Sequence, residues 1–395
     1  MKKKLLIISL NPTYPLSHGG AIAQYYFLEK LQNIYEITFI TIINSEAKKE
    51  NYEKLKRKLS SINFVAFEYI ERKTKLKIYW IDLKIFFYNV FTSILLVKKH
   101  EPQIYEPSID LNFKSFLVDF TKTHKFDLIQ FEFFESLPYC EIFSDDVEKI
   151  FIHHEIRFKA KFQQSINSLM YLNSLKQYEI NALKKFTKIV VFNDEDQMIL
   201  NSNGLINVRI SNYSIPNSLK IKSDISNDFN KFIFLGNQIH YPNFEGLEWF
   251  LNSIYVPNYD DLVPIYITGN WEEIFKKKYS RYDKIVFTGF VKSLELFFQN
   301  SVLLCPIKSG SGLRTKILEA FANNVPVFST SMGAEGLIGD SSHLIVFDEI
   351  NFMKQYNIYF NNIQLHSIAK SAFDFFSYNF NDEKIINQRL KVYSN

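Results

Sequence analysis

Short runs of Ile, Val, Phe and Leu recur along this chain, and between them apolar residues return every three or four positions. In the first half the runs are KLLIISL (4–10), EITFITII (36–43), NFVAFEYI (63–70), DLIQFEF (127–133), KIFIHH (149–154) and KIVVFN (188–193). They are apolar nearly throughout, which predicts strands covered on both faces, and the helical periodicity between them supplies the crossovers of a parallel sheet. From 214 to 231 the pattern lapses into SIPNSLKIKSDISNDFNK, a loop composition that predicts a domain boundary. The alternation then restarts with KFIFLG (231–236), VPIYITG (263–269), KIVFTG (284–289), SVLLCPI (301–307), VPVFST (325–330) and HLIVF (343–347). Two tandem Rossmann-like α/β sheets are predicted, over 1–215 and 216–380, with a closing helix at 381–395 that packs back on the first domain.

At 395 residues the chain exceeds one ordinary core, which agrees with two domains. The 39 Phe and 23 Tyr, beside abundant Lys, Ile and Asn, look like a coding bias and not a binding surface. Net charge is only +4 with basic and acidic residues interspersed, so a nucleic-acid partner is not expected. Cys140 and Cys305 stand far apart in apolar runs, which supports neither a disulfide framework nor a thiolate metal site and fits a reducing, cytoplasmic setting. The opening MKKKLLIISLNPTYP is basic and then apolar, but the run stops at Asn11 and Pro12, and a buried strand is expected there in place of a secretion signal. The aromatic stretch at 78–97 is flanked by Lys73, Lys75, Lys77, Lys98 and Lys99 and interrupted by Asp82, Lys84 and Asn89. It predicts a core-facing helix, the other reading being a helix lying on the inner membrane face.

Ligands of open parallel sheets gather beyond the carboxyl ends of the strands, and two facing sheets would share a central cleft. One stretch carries most chemistry: CPIKSGSGLRTKILEAFANNVPVFSTSMGAEGL, at 305–337. After its strand, Ser309, Gly310, Ser311 and Gly312 form a loop that lets backbone approach a ligand, and it opens into a helix predicted at 313–323. The unpaired amides of such a start attract anions. Arg314 and Lys316 fall in that first turn, where cations are otherwise unfavourable, and a bound pyrophosphate accounts for them better than two solvated side chains. Glu319, among Ile317, Leu318 and Phe321, could accept two hydroxyls of a ribose, or form a cap or ion pair within its own domain. Gly19 and Gly20, just before a helix predicted at 21–31, form a second close-approach loop.

LEAFANNVPV at 318–327 and STSMGAEGL at 329–337 resemble the retaining family 4 glycosyltransferases of GT-B fold, as do FLGNQIHYPNFEGLEWFLNSI at 234–254 and IVFTGFV at 285–291. The resemblance implies a nucleoside-diphosphate sugar donor held by Gly19, Gly20, Gly236, Asn237, Gly289, Phe290, Ser311, Gly312, Leu313, Thr315 and Glu319. It implies a glycan or lipid-linked acceptor near Glu132 or Glu135 and His154, and a His contacting the transferred sugar, His153 or His154, with His153 preferred. Arg314 and Lys316 join His153 as the expected catalytic residues. Two departures stand out. The family often carries Glu, seven residues, Glu, and here Ser311 occupies the first place with Glu319 in the second. Members also place an Arg and a Lys where this chain has Asn237 and Asn243, so Arg314 and Lys316 are the candidates for the missing charge.

With no Asp-x-Asp pair placed as a metal site and no His or Cys cluster, neither metal nor cofactor is expected, and protein cations would stabilise the leaving diphosphate. The resemblance implies retention at the anomeric carbon, consistent with the lack of a paired-carboxylate signature. A non-catalytic GT-B subunit that supports a partner transferase and a sugar-nucleotide epimerase are the alternatives.

Overall fold

The computed structural model describes residues 2–69, 104–163, 168–220, 228–291, 293–310, 312–337 and 342–394. Ser311 and the stretch at 78–97 lie outside them. The chain divides into two compact units, one of Met1–Pro15, Leu28–Val190 and Leu200–Arg209, the other of Leu16–Phe27, Val191–Ile199 and Ile210–Asn395.

Unit 1 is built on β1 (Lys4–Ser9), β2 (Glu36–Ile43), β3 (Asn63–Glu68), β4 (Leu128–Glu132), β5 (Glu148–Ile152), β6 (Lys188–Val191) and β7 (Val208–Ile210), in the order β3-β2-β1-β4-β5-β6-β7. Neighbours run parallel, with Leu5 opposite both Ile37 and Leu128. Leu5 to Ile8 are fully enclosed, as the continuous apolar run requires. The helices are α1 (Gly19–Leu31), α2 (Glu46–Lys58), α3 (Leu111–Thr123), α4 (Arg157–Gln163) and α5 (Leu169–Leu183), and α1 as far as Phe27 groups with unit 2. Ser45 and Asp110 cap α2 and α3 by accepting amides of the first turn, which satisfies donors the helix cannot.

Unit 2 repeats the plan. Its strands β8 (Lys231–Phe234), β9 (Ile265–Thr268), β10 (Ile285–Gly289), β11 (Ser301–Cys305), β12 (Val327–Ser329) and β13 (Ile345–Val346) lie in the order β10-β9-β8-β11-β12-β13, again parallel. Helices α6 (Asp194–Ser202), α7 (Tyr241–Phe250), α8 (Glu273–Lys278), α9 (Glu295–Phe298), α10 (Thr315–Ala322), α11 (Phe352–Tyr359), α12 (Asn362–Asn379) and α13 (Asp382–Ser394) complete the chain. On one face Phe232, Phe234, Phe250, Val302 and Phe328 form the core. In α13, Arg389 is fully buried, its guanidinium 3.6 Å from the Phe27 ring centroid and its Nε donating to Ser211 Oγ at 2.9 Å.

Two boundaries differ from the sequence expectation. The helix predicted to start at residue 313 begins at Thr315, with Arg314 as its extended N-cap, because Gly310 and Gly312 take left-handed φ values of 106° and 82° that keep the approach irregular. Gly19 and Gly20 are the first turn of α1 and do not precede it.

Candidate functional site

In unit 2 the strand order reverses between β8 and β11, which is where a doubly wound sheet opens a crevice. The predicted loops arrive there: Gly236 and Asn237 leave β8, while Ser309 and Gly310 follow β11 and Gly312 and Leu313 precede α10. Lys316 Nζ donates to Asn243 Oδ1 at 2.9 Å and lies 4.8 Å from the Phe234 ring centroid, and Asn243 Nδ2 donates to the Asn237 carbonyl at 3.3 Å. Asn243, which stands where a basic residue was expected, thus receives the ammonium of Lys316. Gly236 is required by this contact, since a Cβ there would stand 2.5 Å from Asn243 Nδ2.

Thr315 shares a hydrogen bond of 2.8 Å with Tyr213 Oη, which also donates to the Leu313 carbonyl at 3.2 Å. The Tyr213 pair fixes the start of α10. Gly19 packs on the same threonine so closely that a Cβ would come within 2.5 Å of Thr315 Oγ1. Arg314 Nη1 donates to the Gly312 carbonyl at 2.9 Å. On the approaching loops, Asn237 Oδ1 and Ser309 Oγ are buried without a hydrogen-bond partner among the described residues, a condition a polar ligand would relieve. Gly289, with φ 70°, accepts the Gly269 amide at 2.8 Å, and Phe290 beside it is 77% exposed.

The electrostatics favour an anion. Burial lowers the Lys316 ammonium below its ordinary value, and Arg314 lowers it further, while Cys305 and Glu319 oppose them. His240, at the N-cap of α7, is pushed down to about 4 by desolvation first and then by Lys316, Arg314 and His18. The residue is exposed, so its charged neighbours carry the inference: His18, Arg314 and Lys316 each lie within electrostatic reach of His240. Neither histidine was marked by sequence reasoning, because each follows a loop with no periodic signal and only folding brings them near each other.

Glu319 is 8% exposed, and burial pushes its carboxyl up to about 7 against the pull of Lys316. A carboxyl raised in the folded state contributes its full stability below the ordinary value of 4.5 and loses it as pH rises through about 7. Between those limits the protein should lose about 3 kcal/mol relative to Glu319→Gln, since each pH unit between the two values costs about 1.4 kcal/mol. Chemical denaturation of both proteins across that range measures it, and parallel stability curves would contradict the burial of this carboxyl.

The acceptor-side candidates belong to unit 1. Glu132, at the end of β4, is 2% exposed and is no solvated loop carboxylate: it accepts from Gln130 Nε2 and pairs with His154 Nε2, each at 2.5 Å. The His154 ring stacks on Phe133 at 4.1 Å, and Phe133 itself sits at φ 68°, a backbone region unfavourable for an aromatic residue. Glu135 pairs with Arg157 at 2.7 Å. His153, expected to touch the transferred sugar, is 2% exposed, and its Nε2 lies 3.0 Å from an oxygen of the fully buried Glu179 yet has no hydrogen-bond partner among the described residues. The Glu179 oxygens accept the Arg157 and Phe158 amides at 2.9 Å, which anchors the start of α4. Asp194 and Asp196, which follow β6, belong to the first turn of α6, where Asn193 Oδ1 accepts the Asp196 amide at 2.7 Å. No group of three His, Cys, Asp or Glu among the described residues is arranged to hold a metal ion, and no helix among them is long and apolar enough to cross a membrane.

Residues 230–355 match the family described as "Glycosyl transferases group 1". Over 98% of its length the chain is 24% identical to an uncharacterized 44.6 kDa protein in the cps region of Klebsiella pneumoniae, 99% of which is covered. Among solved structures, TarM superposes with a TM-score of 0.72 at 10% identity, over 100% of this chain and 99% of that one. A mutant of S. aureus TarM in complex with Fondaparinux, alpha-GlcNAc-glycerol and UDP gives 0.70 at 11% identity, with 100% of both chains covered.

Proposed function

We propose, for a chain that is a glycosyltransferase of GT-B fold, that it moves a sugar with retention from a nucleoside-diphosphate donor to a hydroxyl of a glycan or lipid-linked acceptor. The setting proposed is bacterial surface polysaccharide assembly at the cytoplasmic face of the membrane, supported by the relative in a cps region. The observation that carries the donor assignment is the start of α10, where Lys316 and Arg314 meet the glycine loop at the switch point of the second sheet.

The chemistry follows from charge. As the anomeric C–O bond to the diphosphate breaks, negative charge grows on the leaving oxygen, and cations already stripped of water stabilise it without reorganising. Lys316, Arg314 and the first amides of α10 fill that role, which needs no bound metal. The acceptor hydroxyl enters on the face the leaving group vacates and passes its proton to the departing phosphate oxygen. No enzyme carboxylate is then needed as nucleophile. Glu319 accepts the ribose hydroxyls, and exposed Phe290 offers a ring to the base.

A thermal-shift panel of uridine, guanosine and thymidine diphosphates and their sugars tests the assignment. One nucleotide series should raise the melting temperature, since a ligand bound only by the native state stabilises it by RT ln(1 + [L]/Kd). An unchanged melting temperature with every member at millimolar concentration would rule out the donor site.

A further inference from the structure

Arg389, in α13, is fully buried, and no carboxylate of the described residues pairs with it. An uncompensated guanidinium in a core carries a desolvation cost that an apolar side chain of similar size avoids. What it supplies is geometry: a planar fork with donors at fixed angles and a flat face for a ring. Its Nε donates to Ser211 Oγ at 2.9 Å, its Nη2 to the Ser211 carbonyl at 3.5 Å, and its central carbon lies 3.6 Å from the Phe27 ring centroid.

Both contacts lead to one place. Phe27 belongs to α1, whose first residue, Gly19, packs so closely on Thr315 that a Cβ would stand 2.5 Å from Thr315 Oγ1. At about 1.5 Å per residue, the stretch from Gly19 to Phe27 is a stiff strut of about 12 Å. Ser211 precedes Tyr213 in the same short segment, and Tyr213 Oη bonds Thr315 Oγ1 at 2.8 Å and donates to the Leu313 carbonyl at 3.2 Å. The Tyr213 ring is itself enclosed, edge to face with Phe192 at 4.8 Å, so a shift at Ser211 passes on instead of dissipating. All of these residues belong to unit 2.

Arg389 therefore holds the far ends of two elements whose near ends meet at Thr315, the first residue of α10. There Arg314 is the N-cap and Lys316 lies in the first turn. We propose that Arg389 is a positioning residue of the donor site: through Phe27 and Ser211 it fixes the start of α10, and with it the Arg314 and Lys316 cations, while itself touching no donor atom. The link to a donor rests on the transferase reading above, whereas the fixing of α10 does not.

Hydrogen exchange on the full chain without ligand tests the fixing directly. The Ile317 and Leu318 amides donate to the Arg314 carbonyl at 2.9 and 3.4 Å, so their exchange reports the helix start. In Arg389→Met, close in length and without charge, both should exchange about fivefold faster, the worth of one hydrogen bond, while β8 and β11 keep their native rates. Ser211→Ala leaves Arg389 in place and cuts one route, which keeps the test decisive if the first variant melts early. It should give the same local change to a smaller degree, and in a Tyr213→Phe background, where that route is already cut at Thr315, it should add little. The nucleoside diphosphate with the largest thermal shift should bind Arg389→Met about fivefold more weakly. Faster exchange spread over both sheets, unchanged exchange at Ile317 and Leu318, additive effects of Ser211→Ala and Tyr213→Phe, or an unmoved nucleotide Kd would overturn the assignment. A panel in which no nucleotide binds the native chain sinks the donor reading alone, and the exchange still decides the role of Arg389.

Discussion

Lys316→Ala should reduce the rate of sugar transfer by about 10²–10³-fold in kcat, the loss found when one preorganised group facing developing charge is removed. The Lys316 side chain is half-buried and its ammonium is partly desolvated. Its only hydrogen bond among the described residues is to Asn243 Oδ1, a neutral acceptor, and desolvation lowers its pKa. A cation so placed lacks a full counter-charge, and the growing charge of a leaving diphosphate would supply one. Its stability signature has the opposite sign from that of a structural lysine. Removing a half-buried charge that no carboxylate hydrogen-bonds should leave the melting temperature unchanged or raised, because the desolvation cost goes with it. Initial rates with the nucleotide-sugar found by thermal shift, measured beside the melting curve, decide the matter. A variant that melts early and loses activity in proportion would mark Lys316 as structural, and one with unchanged kcat would end its catalytic role.

The strands were legible because sheets buried on both faces need continuous apolar runs, and KLLIIS and SVLLC can be nothing else at that length. β7 was missed: three residues, VRI, with Arg209 exposed in the middle, carry no period to detect. The glycines around Arg314 marked an irregular loop ahead of a helix, but not where the helix begins, since the helix start depends on Tyr213, about a hundred positions away in sequence, bonding Thr315. Asn243 looked like a lost cation when read alone, and folding turns it into the partner of one. The surroundings of His153 were not legible. A histidine at a strand end looks open to solvent, yet it is 2% exposed, with Glu179 of α5 3.0 Å away. Local composition sets which residues can do chemistry, and tertiary contacts decide which of them face a ligand.

Glu319→Ala should weaken kcat/KM by on the order of 10²–10⁴-fold, with most of the change in KM, because two charge-assisted hydrogen bonds to ribose are worth roughly 1.5–3 kcal/mol each and are made equally in ground and transition states. No hydrogen bond among the described residues holds the Glu319 carboxyl, and burial raises it to about 7. Hydroxyl donors from a bound ribose favour the ionised form, so binding should draw a proton off and the affinity should fall as pH drops below about 7, up to tenfold for each pH unit. A 2′,3′-dideoxy nucleotide completes the cycle. Against the native protein it should lose about the same factor as the mutation, and against Glu319→Ala it should lose little more, since two changes that remove one interaction are not additive. Additive losses would show that Glu319 and the ribose never meet, and the carboxylate would then be a structural group of its own unit.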